Sequence, residues 1–241
     1  MSELIGEDYL LSKSINKPID SSHFFLSNNF EMYKFPDVVN SSYLKILSDL
    51  KSNKQFSSDS LAHFIDGAIM NHPILKSRIV EFDEEQHFTP ARLSTIKHLK
   101  KILPDNYFST VSNICNDKTY LNNHVLKKHR MKNKIENLPK SFSDFIEWLE
   151  QSDEKLSGYI CEKNGFRFLG GRMAQRAYYD CLRDTAHLSE KNKDLESPLR
   201  FAKKSFEDIE KISFNKIENK RIKEIIVEIL QTDYQLSIAS T

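Results

Sequence analysis

The residues best suited to chemistry in this chain are its arginines. Four of them, Arg167, Arg172, Arg176 and Arg183, crowd into one short stretch of a chain that otherwise draws its positive charge mostly from lysine. The planar guanidinium grips a phosphate or carboxylate at two points at once, which an ammonium group cannot do. If the segment from Arg172 to about Leu188 is a helix, Arg183, Arg176, His187 and Asp180 fall at about 20°, 40°, 60° and 80° from Arg172. Ala174, Ala177, Tyr178, Cys181, Thr185 and Leu188 take the opposite side. One face is then apolar and the other carries three arginines and a histidine. Gly170 and Gly171 precede this helix and would let an anion approach its first N–H groups. The competing reading is a solvated face knitted by pairs such as Arg176–Asp180 and Asp180–Arg183. Arg183 and His187, one turn apart, could also support metal-independent phosphodiester cleavage, with His as acid or base and Arg holding charge.

A second constellation is the run His124–Lys134, HVLKKHRMKNK, which places Lys127, Lys128, Arg130, Lys132 and Lys134 together without an acidic residue among them. Contact with phosphates would release counterions and make binding salt-dependent. The few aromatic neighbours, Tyr107, Phe108 and Tyr120, give little support to stacking on single-stranded bases. The alternative is an exposed basic helix end before Pro139.

Histidines give no metal-binding pattern. His124 and His129 lie about 140° apart on a helix, and His63, Asp66 and His72 lack a definite further ligand. The string Glu81-Phe82-Asp83-Glu84-Glu85 reads as a solvated turn. No metal and no cofactor is expected.

The elements that must position these residues read as mainly helical. Leu44, Leu47 and Leu50 mark a helix over 41–51. Ser57-Ser58-Asp59 caps another running to Met70, with Leu61, Phe64, Ile65, Ala68 and Ile69 on one face. Pro90 opens a helix with the stripe Leu93, Ile96 and Leu99. Short helices follow near 107–115 and 120–131, and Phe142–Glu150 carries Phe142, Phe145, Ile146 and Leu149 on its inner side. Asn164-Gly165 then marks a β-hairpin across 158–169, and the arginine helix comes next. Ser197-Pro198 opens a further helix. The last one, near Lys216–Leu230, buries Ile222, Ile225, Ile226 and Ile229. The expected fold is mainly α, a multi-helix protein with one short hairpin near 158–169.

Charge divides the chain. Residues 1–91 hold 8 basic against 13 acidic side chains, residues 92–134 hold 10 against 2, and the remainder holds 17 against 19. This suggests an acidic helical part over 1–90, a basic helical part over 91–170 that could resemble a winged helix, and C-terminal helices over 171–241, with one continuous domain as the alternative. The 241 residues suffice for a proper core. Six glycines are few for large doubly wound folds or barrels. The glycine-rich nucleotide loops, zinc-protease and hydrolase-elbow motifs do not occur. Three widely spaced cysteines, Cys115, Cys161 and Cys181, suggest reduced thiols and a cytoplasmic setting. The start MSELIGEDYLLSK lacks the features of a secretory signal, and no apolar run reaches the length of a membrane span. The leading expectation is non-catalytic binding of DNA or RNA. Lys127, Lys128, Arg130, Lys132 and Lys134 would steer by charge, while Arg167, Arg172, Arg176 and Arg183 contact phosphate. A protein–protein adaptor whose basic surface meets an acidic partner is the alternative, and a small helical nuclease is the third.

Overall fold

A computed structural model describes residues 4–5, 19–32, 40–53, 63–103, 105–127, 131–152, 165–189 and 192–239. The chain forms two compact units, each assembled from separated segments: 1–34, 60–84 and 186–241 make one, and 35–59 with 85–185 make the other.

The first unit is built on a five-stranded mixed sheet. Its strands are β1 (Leu4–Ile5), β2 (Phe24–Met32), β3 (His63–His72), β4 (Lys76–Asp83) and β5 (Leu199–Ala202), in the spatial order β1-β5-β4-β3-β2. β4 and β5 run parallel, and the other neighbours are antiparallel. Two helices complete the unit, α7 (Lys203–Glu210) and α8 (Asn219–Ala239). The register Val80↔Leu199 and Phe82↔Phe201 points these four side chains to one face, where they form a core with Ile69, Phe206, Ile222, Ile225, Ile226 and Ile229. Phe82, Phe206 and Phe214 meet with ring centroids 5.0–5.4 Å apart. Full burial of each such ring contributes on the order of 2–3 kcal/mol. The apolar face expected for the C-terminal helix is the one that is buried.

The alternate positions of the same strands carry charge into the interior. Glu81, Asp83 and Arg200 are all buried, and Arg200 Nη1 donates to Asp83 Oδ1 at 2.5 Å. Arg78, also buried, donates to the carbonyl of Leu75 (2.7 Å) and, through Nη1, to the Ser197 carbonyl (2.7 Å).

This unit corrects the expected fold class. The protein is an α/β mixture, and its sheet lies outside the segment where the hairpin was expected. The apolar set around Ile65, Ala68 and Ile69 belongs to strand β3, not to a helix reaching Met70. The acidic string is no solvated turn at Glu81 and Asp83, because β4 continues through it. Ser197-Pro198 leads into β5 rather than a helix, since pairing with β4 takes this segment and α7 starts only at Lys203. Within the expected hairpin, 158–164 lie outside the described residues. From Gly165 (φ +87°) onward the backbone turns without forming a strand: Phe168 N–H donates to Phe166 O and Gly171 N–H to Phe168 O, both at 2.9 Å.

The second unit is helical among its described residues. It comprises α1 (Asn40–Asp49), α2 (Pro90–Leu99), α3 (Asp105–Cys115), α4 (Lys118–Tyr120), α5 (Phe142–Gln151) and α6 (Gly171–Asp184), with a 3-10 turn at Glu85–His87 and a π-helical turn at Leu121–Leu126. α2 starts as its sequence suggests, with Thr89 as N-cap and Pro90 in the first turn, and it packs against α1, α3, α5 and α6. α5 carries a capping box. Ser141 Oγ accepts from Asp144 N–H, and the Asp144 carboxylate accepts from Ser141 N–H, both at 3.1 Å. In α1, Tyr43, Ile46 and Leu47 are buried, as is Leu50 just beyond it, while Leu44 is exposed, so the stripe is rotated from the expected one. Among the described residues, no helix is long and apolar enough to cross a membrane.

Candidate nucleic-acid interface and a buried polar cluster

The helical unit is the basic one. Its segments hold 20 Lys and Arg against 15 Asp and Glu, a net of +5, whereas the sheet unit holds 15 against 19, a net of −4. Lys127 follows the π-helical turn and is exposed, as are Lys132 and Lys134 in the loop beyond. Lys128 and Arg130 lie outside the described residues. The loop is tied down from beneath. Asn122 Nδ2 donates to the Ile135 carbonyl (2.9 Å) while Asn122 Oδ1 accepts from Ile135 N–H (2.8 Å), and the Ile135 side chain is buried. Lys118 Nζ adds a bond to the Glu136 carbonyl at 3.0 Å. Ile135 is buried, whereas Lys132, Asn133 and Lys134 before it are exposed. Tyr120 packs against His124 with ring centroids 4.8 Å apart and the rings tilted by 34°, and it meets Phe88 edge-on at 5.9 Å.

The arginine helix is present as α6, and its expected apolar residues Ala174, Ala177, Tyr178 and Cys181 are buried. Its other side differs from an open phosphate grip. Arg167 and Arg172 are exposed, and Arg172 Nη1 donates to Gln175 Oε1 at 2.5 Å. Arg176 is half-buried and donates to Gln86 Oε1 at 2.5 Å. Arg183 is half-buried, with Nη1 3.5 Å from Asp180 Oδ1. Gly171 serves the chain itself: a Cβ there would stand 1.8 Å from the Phe166 carbonyl oxygen. α6 ends at Asp184, and Ala186–Leu188 is a 3-10 turn, so the helical spacing linking Arg183 to His187 does not extend that far.

What the pattern did not reveal is that two carboxylates of α6, Asp180 and Asp184, are wholly buried. Both stand at the border of the apolar arc, about 80° and 120° from Arg172, and that position was the available signal. Asp180 Oδ2 lies 2.8 Å from His87 Nδ1. A carboxylate only accepts, so the imidazole Nδ1 carries a proton and donates to it. The 3-10 turn Glu85–His87 therefore presents Gln86 to Arg176 and His87 to Asp180.

Asp184 is met by the guanidinium of the buried Arg92, which also donates to the Tyr107 hydroxyl at 2.7 Å and to Thr95 Oγ1 at 3.2 Å. At the next residue, the Thr185 hydroxyl donates to the Cys181 carbonyl at 2.9 Å and accepts from the Tyr43 hydroxyl. Burial, followed by the neighbouring Cys181, pushes the Tyr43 phenol far above its ordinary value, so it stays protonated. Cys115 and Cys181 are buried thiols, and Cys161 lies outside the described residues.

No protein family, no curated protein and no solved structure matches this chain. The site must be read from its own geometry.

Proposed function

We propose that the helical unit binds a nucleic acid, RNA or DNA, through the basic loop that follows its π-helical turn. The observation that carries this reading is the Asn122–Ile135 clamp, which holds the exposed Lys132 and Lys134 beyond Lys127 on a fixed backbone. Charges held this way lose less freedom on binding than charges on an unanchored tail. Arg167 and Arg172, exposed on and before α6, extend the set of cations in this unit. The residues sit in a unit with surplus positive charge, which steers a polyanion toward it. With Cys115 and Cys181 unbridged, the protein would work in a reducing compartment such as the cytoplasm.

The test is a salt titration of binding to a labelled oligonucleotide, comparing the parent with Lys127→Ala/Lys132→Ala/Lys134→Ala. These side chains are exposed, so the fold should survive. The expected result is weaker binding and a log–log salt slope flatter by about 0.7–0.9 per lost phosphate contact. A parent that binds no nucleic acid at low salt, or a variant with unchanged affinity and slope, overturns the reading. The first outcome would leave an acidic protein as the partner of this surface.

A further inference from the structure

The π-helical turn Leu121–Leu126 carries an aromatic ring as well as the lysines that follow it. Leu121, Val125 and Leu126 are buried, Asn122 clamps the basic loop, and His124 is left exposed. Its ring is backed. The half-buried Tyr120 packs against it with centroids 4.8 Å apart and planes tilted by 34°. Tyr120 in turn meets the buried Phe88 edge-on at 5.9 Å. Three rings thus lead from the interior of the helical unit to its surface, and the outermost ends in solvent. The nearest cation is placed by the backbone. Lys127 N–H donates to the His124 carbonyl, which sets the two residues one turn apart, and the clamp of Asn122 on Ile135 joins Lys132 and Lys134 to the same turn. An anchored ring among cations matches the chemistry of a nucleotide, a flat π-face beside a phosphate. A duplex keeps those faces inside its own stack, whereas an unpaired strand offers them.

We propose that this surface is a single-strand site, in which an unpaired base stacks on the His124 ring while Lys127, Lys132 and Lys134 hold the neighbouring phosphates. The proposal rests on the nucleic-acid reading above and narrows it to the unpaired form. Lysines alone favour a duplex, because its two strands give it the higher charge density. A stacking ring reverses that order. Stacking is tolerant of base identity, since every base has a π-face, so the site selects strandedness rather than sequence. RNA and DNA strands share this chemistry, and the experiment compares them. Read in the sequence, the basic run lacks such a ring, because His124 there counts only toward a metal; the packing on Tyr120 gives it a different use.

The experiment titrates the full chain into four labelled probes of equal length at one salt concentration: an RNA strand, a DNA strand, a DNA duplex, and a strand of abasic deoxyribose phosphates. Both base-bearing single strands should bind more tightly than the duplex. The abasic strand, equal in charge to the DNA strand, should bind at least about fivefold more weakly than it. His124→Ala should weaken the base-bearing strands by a similar factor. It should leave the abasic strand, the duplex and the salt slope unchanged, since no phosphate contact is lost. His124→Phe, which keeps a ring without an ionisable nitrogen, should retain the parent's affinity. The abasic comparison uses the parent alone, so it stands even if a variant unfolds. A duplex bound as tightly as the single strands, or an abasic strand bound as tightly as DNA, overturns the proposal. So does a folded His124→Ala with full single-strand affinity, or a His124→Phe as weak as the alanine variant. Binding that needs the three lysines but not His124 removes the stacking site and leaves the lysine interface. Binding that needs His124 but not the lysines removes that interface and leaves the stacking site.

Discussion

Arg92 on α2 and Asp184 at the end of α6 form an ion pair in the interior of the helical unit, with side chains 3% and 1% exposed. Neither charge has water to fall back on. Removing one partner leaves the other buried and uncompensated, at a cost of about 3–5 kcal/mol. Arg92→Met and Asp184→Leu should each lower the urea midpoint strongly. The double variant should lose less than the sum of the two, because it leaves no orphan charge. Additive losses in a double-mutant cycle would show that the pair is not the source of the effect.

Gly170 and Gly171 stand at the N-terminus of the same helix for different reasons. Gly170 sits at φ +81°, a conformation that other residues adopt with strain, so Gly170→Ala should cost roughly 1–3 kcal/mol. Gly171→Ala must push a methyl group against the Phe166 carbonyl and displace backbone, so its loss should exceed that of Gly170→Ala. Thermal melts of the two variants rank them.

The β3–β4 turn should weaken in mild acid. His72 Nδ1 accepts from the N–H groups of Ile74 (3.1 Å) and Leu75 (3.0 Å), which requires a neutral ring, and its Nε2 is buried without a hydrogen-bond partner. Burial first, then the nearby His23, hold its pKa below the ordinary 6.5. The unfolded chain therefore takes up a proton at a higher pH than the folded one. The contribution to stability is complete above about pH 6.5 and shrinks as pH falls toward the lower folded value. His72→Asn keeps an acceptor near the Nδ1 position and cannot titrate. Urea midpoints between pH 8 and 5 should fall more steeply for the parent than for this variant. Asp144 and Asp208, held low by hydrogen bonds from Ser141 and Lys204, act in a separate window below 3.8.

Asn122→Ala should release the basic loop from its clamp. Two hydrogen bonds are lost, each contributing on the order of 1 kcal/mol. The amide of Ile135 should exchange hydrogen faster, and nucleic-acid affinity should drop although no charge has changed. Unaltered exchange at Ile135 would show that the clamp does not order the loop.

Sequence periodicity revealed the elements whose partners are local. α2, α5 and α6 could be located from Pro90, from the apolar stripe Phe142, Phe145, Ile146 and Leu149, and from the contrast between the faces of α6. The sheet was not legible because its signals compete. Ile65, Ala68 and Ile69 suit a helical stripe as well as a strand. The β3–β4 turn uses positive φ at Asn71 and Lys76, with no glycine to mark it. In β4, Arg78 and Asp83 look like surface residues until Ser197 and Arg200 hold or neutralise them from far along the chain. The same holds for the site. His87 and Asp180 are 93 positions apart, and nothing local to either one names the other.

The place of β5 in the sheet sets an order of assembly. It lies between β1 and β4, yet its Arg200 is 117 positions from the Asp83 it binds. As the chain leaves the ribosome, β3 and β4 can pair at once, whereas the open edge of β4 must wait for the whole segment that builds the helical unit. Closing so distant a parallel contact is slow. For that interval an apolar strand edge, with Val80 and Phe82 beside it, stands ready to pair with any other strand, including the β4 of a second nascent chain. A chain cut short before Leu199 would keep that edge permanently, so such truncated forms should aggregate more readily than a chain that carries β5.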